Sequence, residues 1–150
     1  MLMAVASQQR PDLFAAVICW AGTYDMIHFL EKVYCYEESR VEYGDITDKE
    51  QFEHILRYSP LHNIPETLVK NPSMLILSGL MDPTVDPRHY SARFLASMHM
   101  KMQHMKADSL PLILGRFFEK DAHKLLFNTK SRLIFSFLHA ILKFEIYDAE

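Results

Sequence analysis

The sequence predicts an α/β fold, a parallel sheet with helices on both faces. Three observations lead there. Short, nearly unbroken apolar runs recur at 14–21, 74–77 and 110–114. Segments of helical period separate the later runs and follow the last one. Gly, Pro and Asp cluster at the junctions. Apolar runs without polar alternation suit strands covered on both faces. Strands alternating with helices imply parallel pairing through right-handed crossovers.

Met1 to Gln9 is a segment of good helix formers with no Ser, Thr, Asp or Asn ahead of it to cap it. Arg10-Pro11-Asp12 ends it, because Pro disfavours helix in the residue before it. The first strand is Phe14-Ala-Ala-Val-Ile-Cys-Trp-Ala21, stopped at Gly22. The only Trp, Trp20, reads as core. Residues 24–58 are a mixed, aromatic-rich stretch, within which Asp48 to Tyr58 has helical spacing, with Phe52, Ile55 and Leu56 on one face. Asp48 is placed to cap this helix, and Gln51 three residues on completes a capping box. Ser59 to Pro65 is a loop with two prolines.

Met74 to Leu77 is the second strand. Arg88 to Gln103 is helical, with Tyr90, Phe94, Leu95 and Met98 on one stripe, and Asp86 before Pro87 is its expected cap. Leu110 to Leu114 is the third strand, with Pro111 at its entrance. Lys130 to Phe144 is a final amphipathic helix that buries Leu133, Ile134, Phe137, Leu138 and Ile141.

The bulk composition narrows function. The chain is 49% hydrophobic and 23% charged, enough apolar material for a packed core. A formal net charge of -3 leaves no basic footprint for nucleic acid. No run reaches the roughly 18 apolar residues of a membrane helix, and Met1 to Ala6 lacks the charged region of a signal peptide. Cys19 and Cys35 form no CxxC, so a reducing compartment, the cytoplasm, is expected. The nine Met read as flexible core filler.

In an open parallel sheet, ligands sit beyond the carboxyl ends of the strands. Two loops in that position carry chemistry: Ser78-Gly-Leu-Met-Asp82-Pro-Thr-Val85 after the second strand, and Arg116 to His123 after the third. An Asp after one strand and a His after the next follow the Ser, Asp, His chain order of α/β-hydrolases. A carboxylate that takes the Nδ1 proton sets the imidazole tautomer and leaves Nε2 as a general base. Asp82 is equally suited to an N-cap or turn, and His123 to a surface position. The competing carboxylates are Asp86, Glu119 and Asp121, the last close enough to contact His123 locally.

Gln9-Arg-Pro-Asp-Leu-Phe14, Tyr58-Ser-Pro-Leu-His-Asn63 and Pro72-Ser-Met-Leu75 resemble the catalytic domain of the prolyl oligopeptidase family of serine peptidases, with Asp25-Met26 and Glu42-Tyr-Gly44 agreeing. The resemblance runs in register over nearly the whole chain. It implies that residues 1–150 are the C-terminal, incomplete portion of an α/β-hydrolase domain, without nucleophile elbow or β-propeller. It also implies a parent that cuts short peptides after proline with a Ser-Asp-His triad and no cofactor or metal. Asp82 then matches the triad acid and His123 the base. Tyr43 and Val85 match residues lining the pocket for the substrate proline, and Thr23 falls where that wall has an aliphatic residue.

The departures are specific. No Gly-x-Ser-x-Gly occurs, and the resemblance places the elbow just ahead of Met1. Ser7 lies inside a helix and is no substitute. Ser39 stands where a tryptophan stacks on proline, Thr84 where an arginine holds the substrate backbone, and Ala122 and Lys124 where glycines flank the triad histidine. The chain alone is therefore expected to be inactive. Three functions follow: part of a serine endopeptidase, a non-catalytic interaction protein, or a partner of a separate chain that carries the elbow. An open sheet edge would favour self-association.

Overall fold

The computed structural model describes residues 1–32, 36–106, 110–123 and 127–143. Helix α1 (Leu2–Gln9) leads through a 3-10 turn at Pro11–Leu13 into strand β1 (Ala16–Trp20). Helices α2 (Met26–Lys32), α3 (Tyr36–Tyr43) and α4 (Lys49–Tyr58) follow, then a 3-10 turn at Pro60–Asn63 and strand β2 (Ser73–Gly79). Helix α5 (Ser91–Met102), strand β3 (Ile113–Phe118) and helix α6 (Phe127–Leu142) complete the order.

Among the described residues the sheet has three strands, ordered β1-β2-β3, and both pairings are parallel. Trp20 pairs with Leu77, and Gly79 with Phe118. Because side chains alternate across a strand, each strand feeds two cores. Val17, Cys19, Met74, Ile76 and Ile113 join Ala4 of α1 and Phe94 and Met98 of α5 on one face. Leu75 and Leu77 meet Ile134 and Phe137 of α6 on the other, with Ala16, Ile18 and Trp20 packed alongside. Helices lie on both faces, as predicted, and β2, in the middle, is the most fully buried strand. Strand β3 is not covered on both faces, since Leu114 is exposed where Ile113 is buried.

Several boundaries move, each for a local reason. The third strand starts at Ile113 rather than Leu110 and runs to Phe118, so Arg116 to Phe118 belong to the strand and not to the loop. Pro111 has no N–H to donate, and the Leu112 N–H goes to the Ser73 hydroxyl, so the regular ladder begins beyond both. The predicted helix from Arg88 begins only at Ser91. The Asp86 carboxylate does accept the Arg88 N–H, but it organises a turn ahead of the helix. The final helix starts before Lys130 and ends at Leu142, where Lys143 adopts a positive φ of 51° and its N–H returns to the His139 carbonyl. The predicted last residue, Phe144, lies outside the described residues.

The aromatic-rich stretch, read from the sequence as mixed, holds two further helices, α2 and α3. Asp25 starts α2 by accepting the His28 N–H, a cap the sequence displays openly. At α4, Asp48 accepts the Gln51 N–H as expected. The reciprocal bond goes elsewhere: the Gln51 side chain accepts the Asp45 N–H, which ties Gly44, at φ 108°, into the turn before α4. None of the described helices is long and apolar enough to cross a membrane.

Candidate active site

The site lies at the carboxyl end of the sheet, where the loops after β2 and β3 meet. Gly79 permits the meeting. A Cβ there would lie 2.2 Å from the Asp121 carbonyl oxygen and 2.6 Å from that of Ala122, closer than any side chain tolerates. With only hydrogen in that space, the two loops stitch together: Leu80 N–H donates to the Phe118 carbonyl and Met81 N–H to that of Asp121.

Asp82 follows directly. Its side chain is 1% exposed. Oδ1 accepts the backbone N–H groups of Thr84 and Val85, both at 2.9 Å, so the carboxylate organises its own turn. Oδ2 is left for His123, whose Nδ1 lies 2.9 Å away. A carboxylate can only accept, so Nδ1 carries the proton and Nε2 presents its lone pair. The imidazole is 46% exposed, while its partner is sealed beneath it. A buried carboxylate under a half-open imidazole can orient the ring and stabilise its charged form while the far nitrogen stays accessible.

Two of the other carboxylates near this end are committed elsewhere, and the third, Glu119, is exposed. Asp86 forms a bidentate pair with Arg88, whose guanidinium, by hydrogen bonding, pulls the Asp86 carboxyl down to about 2. Asp121 pairs with Lys130 of α6 at 2.6 Å. The local contact between Asp121 and His123 that the sequence left open gives way to that pair.

The candidate pocket residues occupy different settings. Val85 is 6% exposed and sits in the main core cluster with Tyr24 and Tyr90. Thr23 is half-buried in the loop after β1. Tyr43 ends α3 in a separate cluster with Met26, Leu30 and Ile55. Phe29 packs against both clusters and meets the Tyr43 ring edge-on at 6.2 Å. Thr84, at the expected arginine position, is exposed, Ser39 is buried, and Lys124 lies outside the described residues.

A second grouping of Ser, His and Asp does not have this geometry. Ser59 Oγ lies 2.9 Å from His62 Nδ1, and Asp25 Oδ1 lies 4.0 Å from the same nitrogen, so both would compete for one face of the ring. Ser59 is fully buried and its oxygen accepts the Met26 N–H. Asp25 is bound instead to Arg93 at 2.8 Å. This grouping pins α2, α5 and the turn at Pro60–Asn63 together. Ser7 is likewise sealed within α1, donating to the Ala4 carbonyl.

Sequence reasoning missed the close approach that Gly79 permits and the pairing of Asp121 with Lys130. The spacing Gly79-x-x-Asp82 was visible, but the carbonyl that occupies the missing Cβ belongs to a loop more than 40 residues away. Nothing in the order of residues marks Lys130.

Comparison with known proteins gives one consistent picture. A family model described as the prolyl oligopeptidase family matches residues 1–142. Prolyl oligopeptidase dbiP of Dendrothele bispora is 36% identical over 98 residues, covering 65% of this chain and 13% of that protein. The prolyl endopeptidase of Dictyostelium discoideum is 32% identical over 103 residues, covering 68% of this chain and again 13% of the relative. Oligopeptidase B from Leishmania major superposes with a TM-score of 0.80 at 21% identity, covering 95% of this chain and 20% of that one. At that identity the last likeness bears on the fold alone. The 150 residues thus span a small fraction of the proteins they match.

Proposed function

The chain belongs to the prolyl oligopeptidase family, and from that premise we propose that residues 1–150 are part of a peptidase catalytic domain in which Asp82 is the acid and His123 the base. The observation that carries this reading is the 2.9 Å bond between His123 Nδ1 and Asp82 Oδ2, made across 41 residues of sequence. In the reaction, His123 Nε2 takes the proton of a serine hydroxyl as it attacks the peptide carbonyl, then returns it to the departing amine. Asp82 keeps its charge throughout and stabilises the imidazolium. This chemistry requires no metal or cofactor.

The substrates we propose are short peptides cleaved after proline, with Tyr43, Val85 and Thr23 lining the proline pocket. The serine would come from a Gly-x-Ser-x-Gly-Gly elbow, a motif these 150 residues do not contain. The purified 150-residue chain is therefore expected to leave proline-linked chromogenic peptides uncleaved and to escape labelling by a fluorophosphonate. A longer chain that carries the elbow ahead of Met1 should hydrolyse them, and His123→Ala should cost it several orders of magnitude. A longer chain that keeps its rate without His123 would sink the assignment. We place the protein in the cytoplasm, a reading supported by Cys19, which is a free, buried thiol.

A second reading has one supporting observation. Among the described residues strand β1 is an edge of the sheet, and exposed strand edges pair with other chains. A non-catalytic protein associating through that edge should dimerise at micromolar concentration, and a Pro at Ile18 should abolish the dimer. A strictly monomeric chain on sedimentation rules this reading out.

A further inference from the structure

We propose, building on the reading of His123 as the base, that Lys130 is a positioning residue. Through Asp121 it latches the loop at 119–123 to α6 and so holds the imidazole against Asp82.

Asp121 is the pivot. Its backbone carbonyl accepts the Met81 N–H at 3.0 Å, one residue before Asp82. Its side-chain Oδ2 lies 2.6 Å from the Lys130 ammonium. His123 follows two residues later. One residue therefore ties together the loop that carries the acid, the loop that carries the base, and the helix behind them.

Lys130 is unusual for a lysine. Its side chain is 11% exposed, and its ammonium lies 4.1 Å from the centroid of Phe118, the last residue of β3. Arg116 approaches the same ring at 5.6 Å. Burying an ammonium this far costs stability unless a carboxylate and an aromatic face offset it. A lysine needed only for packing would extend its amine to water. The Asp121 Oδ2 atom is out of contact with solvent and accepts no hydrogen bond of regular geometry, so the pairing is one of charge, and the ammonium at 2.6 Å is the group that offsets the carboxylate. The His123 ring, by contrast, is 46% exposed. Packing around the ring holds it only partly, and its position depends on the loop beneath it.

The test uses the 150-residue chain and two independent nuclear magnetic resonance readouts. Amide exchange at Met81 reports the latch directly, because that N–H is bonded to the Asp121 carbonyl. The Nδ1 proton resonance of His123, followed against pH in histidine-labelled protein, reports the Asp82 contact. Lys130→Met keeps the bulk and removes the charge, and Lys130→Arg restores a cation. Asp121→Asn keeps the carbonyl and removes the carboxylate charge. Lys130→Met and Asp121→Asn should raise Met81 exchange about tenfold, the usual weight of a charge-assisted contact, and broaden or abolish the His123 resonance. Lys130→Arg should return both toward the unsubstituted values. Unchanged Met81 exchange in Lys130→Met overturns the latch. Faster Met81 exchange with an unaltered His123 resonance overturns the positioning role. If the unsubstituted chain shows no bonded Nδ1 proton while Met81 responds as expected, the acid-base reading fails and the latch stands as a structural device.

Discussion

Truncating Asp82 to Ala separates what this carboxylate does for its loop from what it does for His123. Three hydrogen bonds end on it. The Val85 N–H belongs to a residue 6% exposed and cannot turn to water, so stranding it costs about 1–3 kcal/mol. Thr84 is exposed and its N–H rehydrates, for a net loss of about 1 kcal/mol. The His123 bond, half open to solvent, is screened and contributes at most about 1 kcal/mol. Asp82→Ala should therefore destabilise by about 2–5 kcal/mol. Asp82→Asn keeps an oxygen for the two backbone donors and loses only the charge and the imidazole contact. It should cost about 1–2 kcal/mol, and His123→Ala about 1 kcal/mol or less. Urea denaturation followed by circular dichroism measures all three, compared at constant m. The Asp82→Asn and His123→Ala effects should also be non-additive, since each removes the same contact. Strictly additive effects would mean that the contact is not populated in solution. An Asp82→Ala loss below about 0.5 kcal/mol, within the range of an ordinary surface substitution, would refute the account of the loop.

Three further outcomes follow from the same coordinates. Gly79→Val places a Cβ against the Asp121 and Ala122 carbonyls; it should cost about 1–3 kcal/mol by overpacking and speed amide exchange at Leu80 and Met81, and normal exchange there would contradict the close approach. The Asp86 carboxyl is held at about 2 by its hydrogen bonds to Arg88, below its unfolded value of about 3.9. Its contribution is present above pH 4 and lost as pH falls toward 2, so Asp86→Asn should lower stability by a constant amount above pH 5 and flatten the acid limb of the stability-versus-pH curve between about 4 and 2. Burial pushes the Cys19 thiol up to about 11, so in a Cys35→Ser background a thiol reagent at pH 8 should react only as fast as the chain opens, and rapid labelling of the native protein would show β1 to be less covered than described.

The fold was legible because its signals are local. The apolar runs around Val17 and Leu75 are packed on two faces, as strands in a covered parallel sheet are. The run around Ile113 is buried on one face only, with Leu112 and Leu114 exposed. The failures were also local in origin. Pro111 moved β3 along by diverting its hydrogen bonds, and Asp86 spent its carboxylate on a turn, delaying α5. Gln51 satisfied Asp45 rather than Asp48 because Gly44 allowed a turn that brought the Asp45 N–H within reach. The family, likewise, was readable from short contiguous segments such as Tyr58 to Asn63.

The sequence by itself determined the fold class, the strand-end placement of Asp82 and His123, and the family to which the chain belongs. Residue type, order and spacing suffice for each of these. Residue order and spacing left open which carboxylate His123 meets; the resemblance implied Asp82, and the tertiary structure brings that pair together. Asp82, Asp86, Glu119 and Asp121 all had a chemical claim, and the choice depends on where distant backbone lies. Arg88 occupies Asp86, Lys130 occupies Asp121, and the vacant Cβ position of Gly79 lets the two loops close on Asp82. Contacts across more than 40 residues are set by packing, and packing has no linear signature.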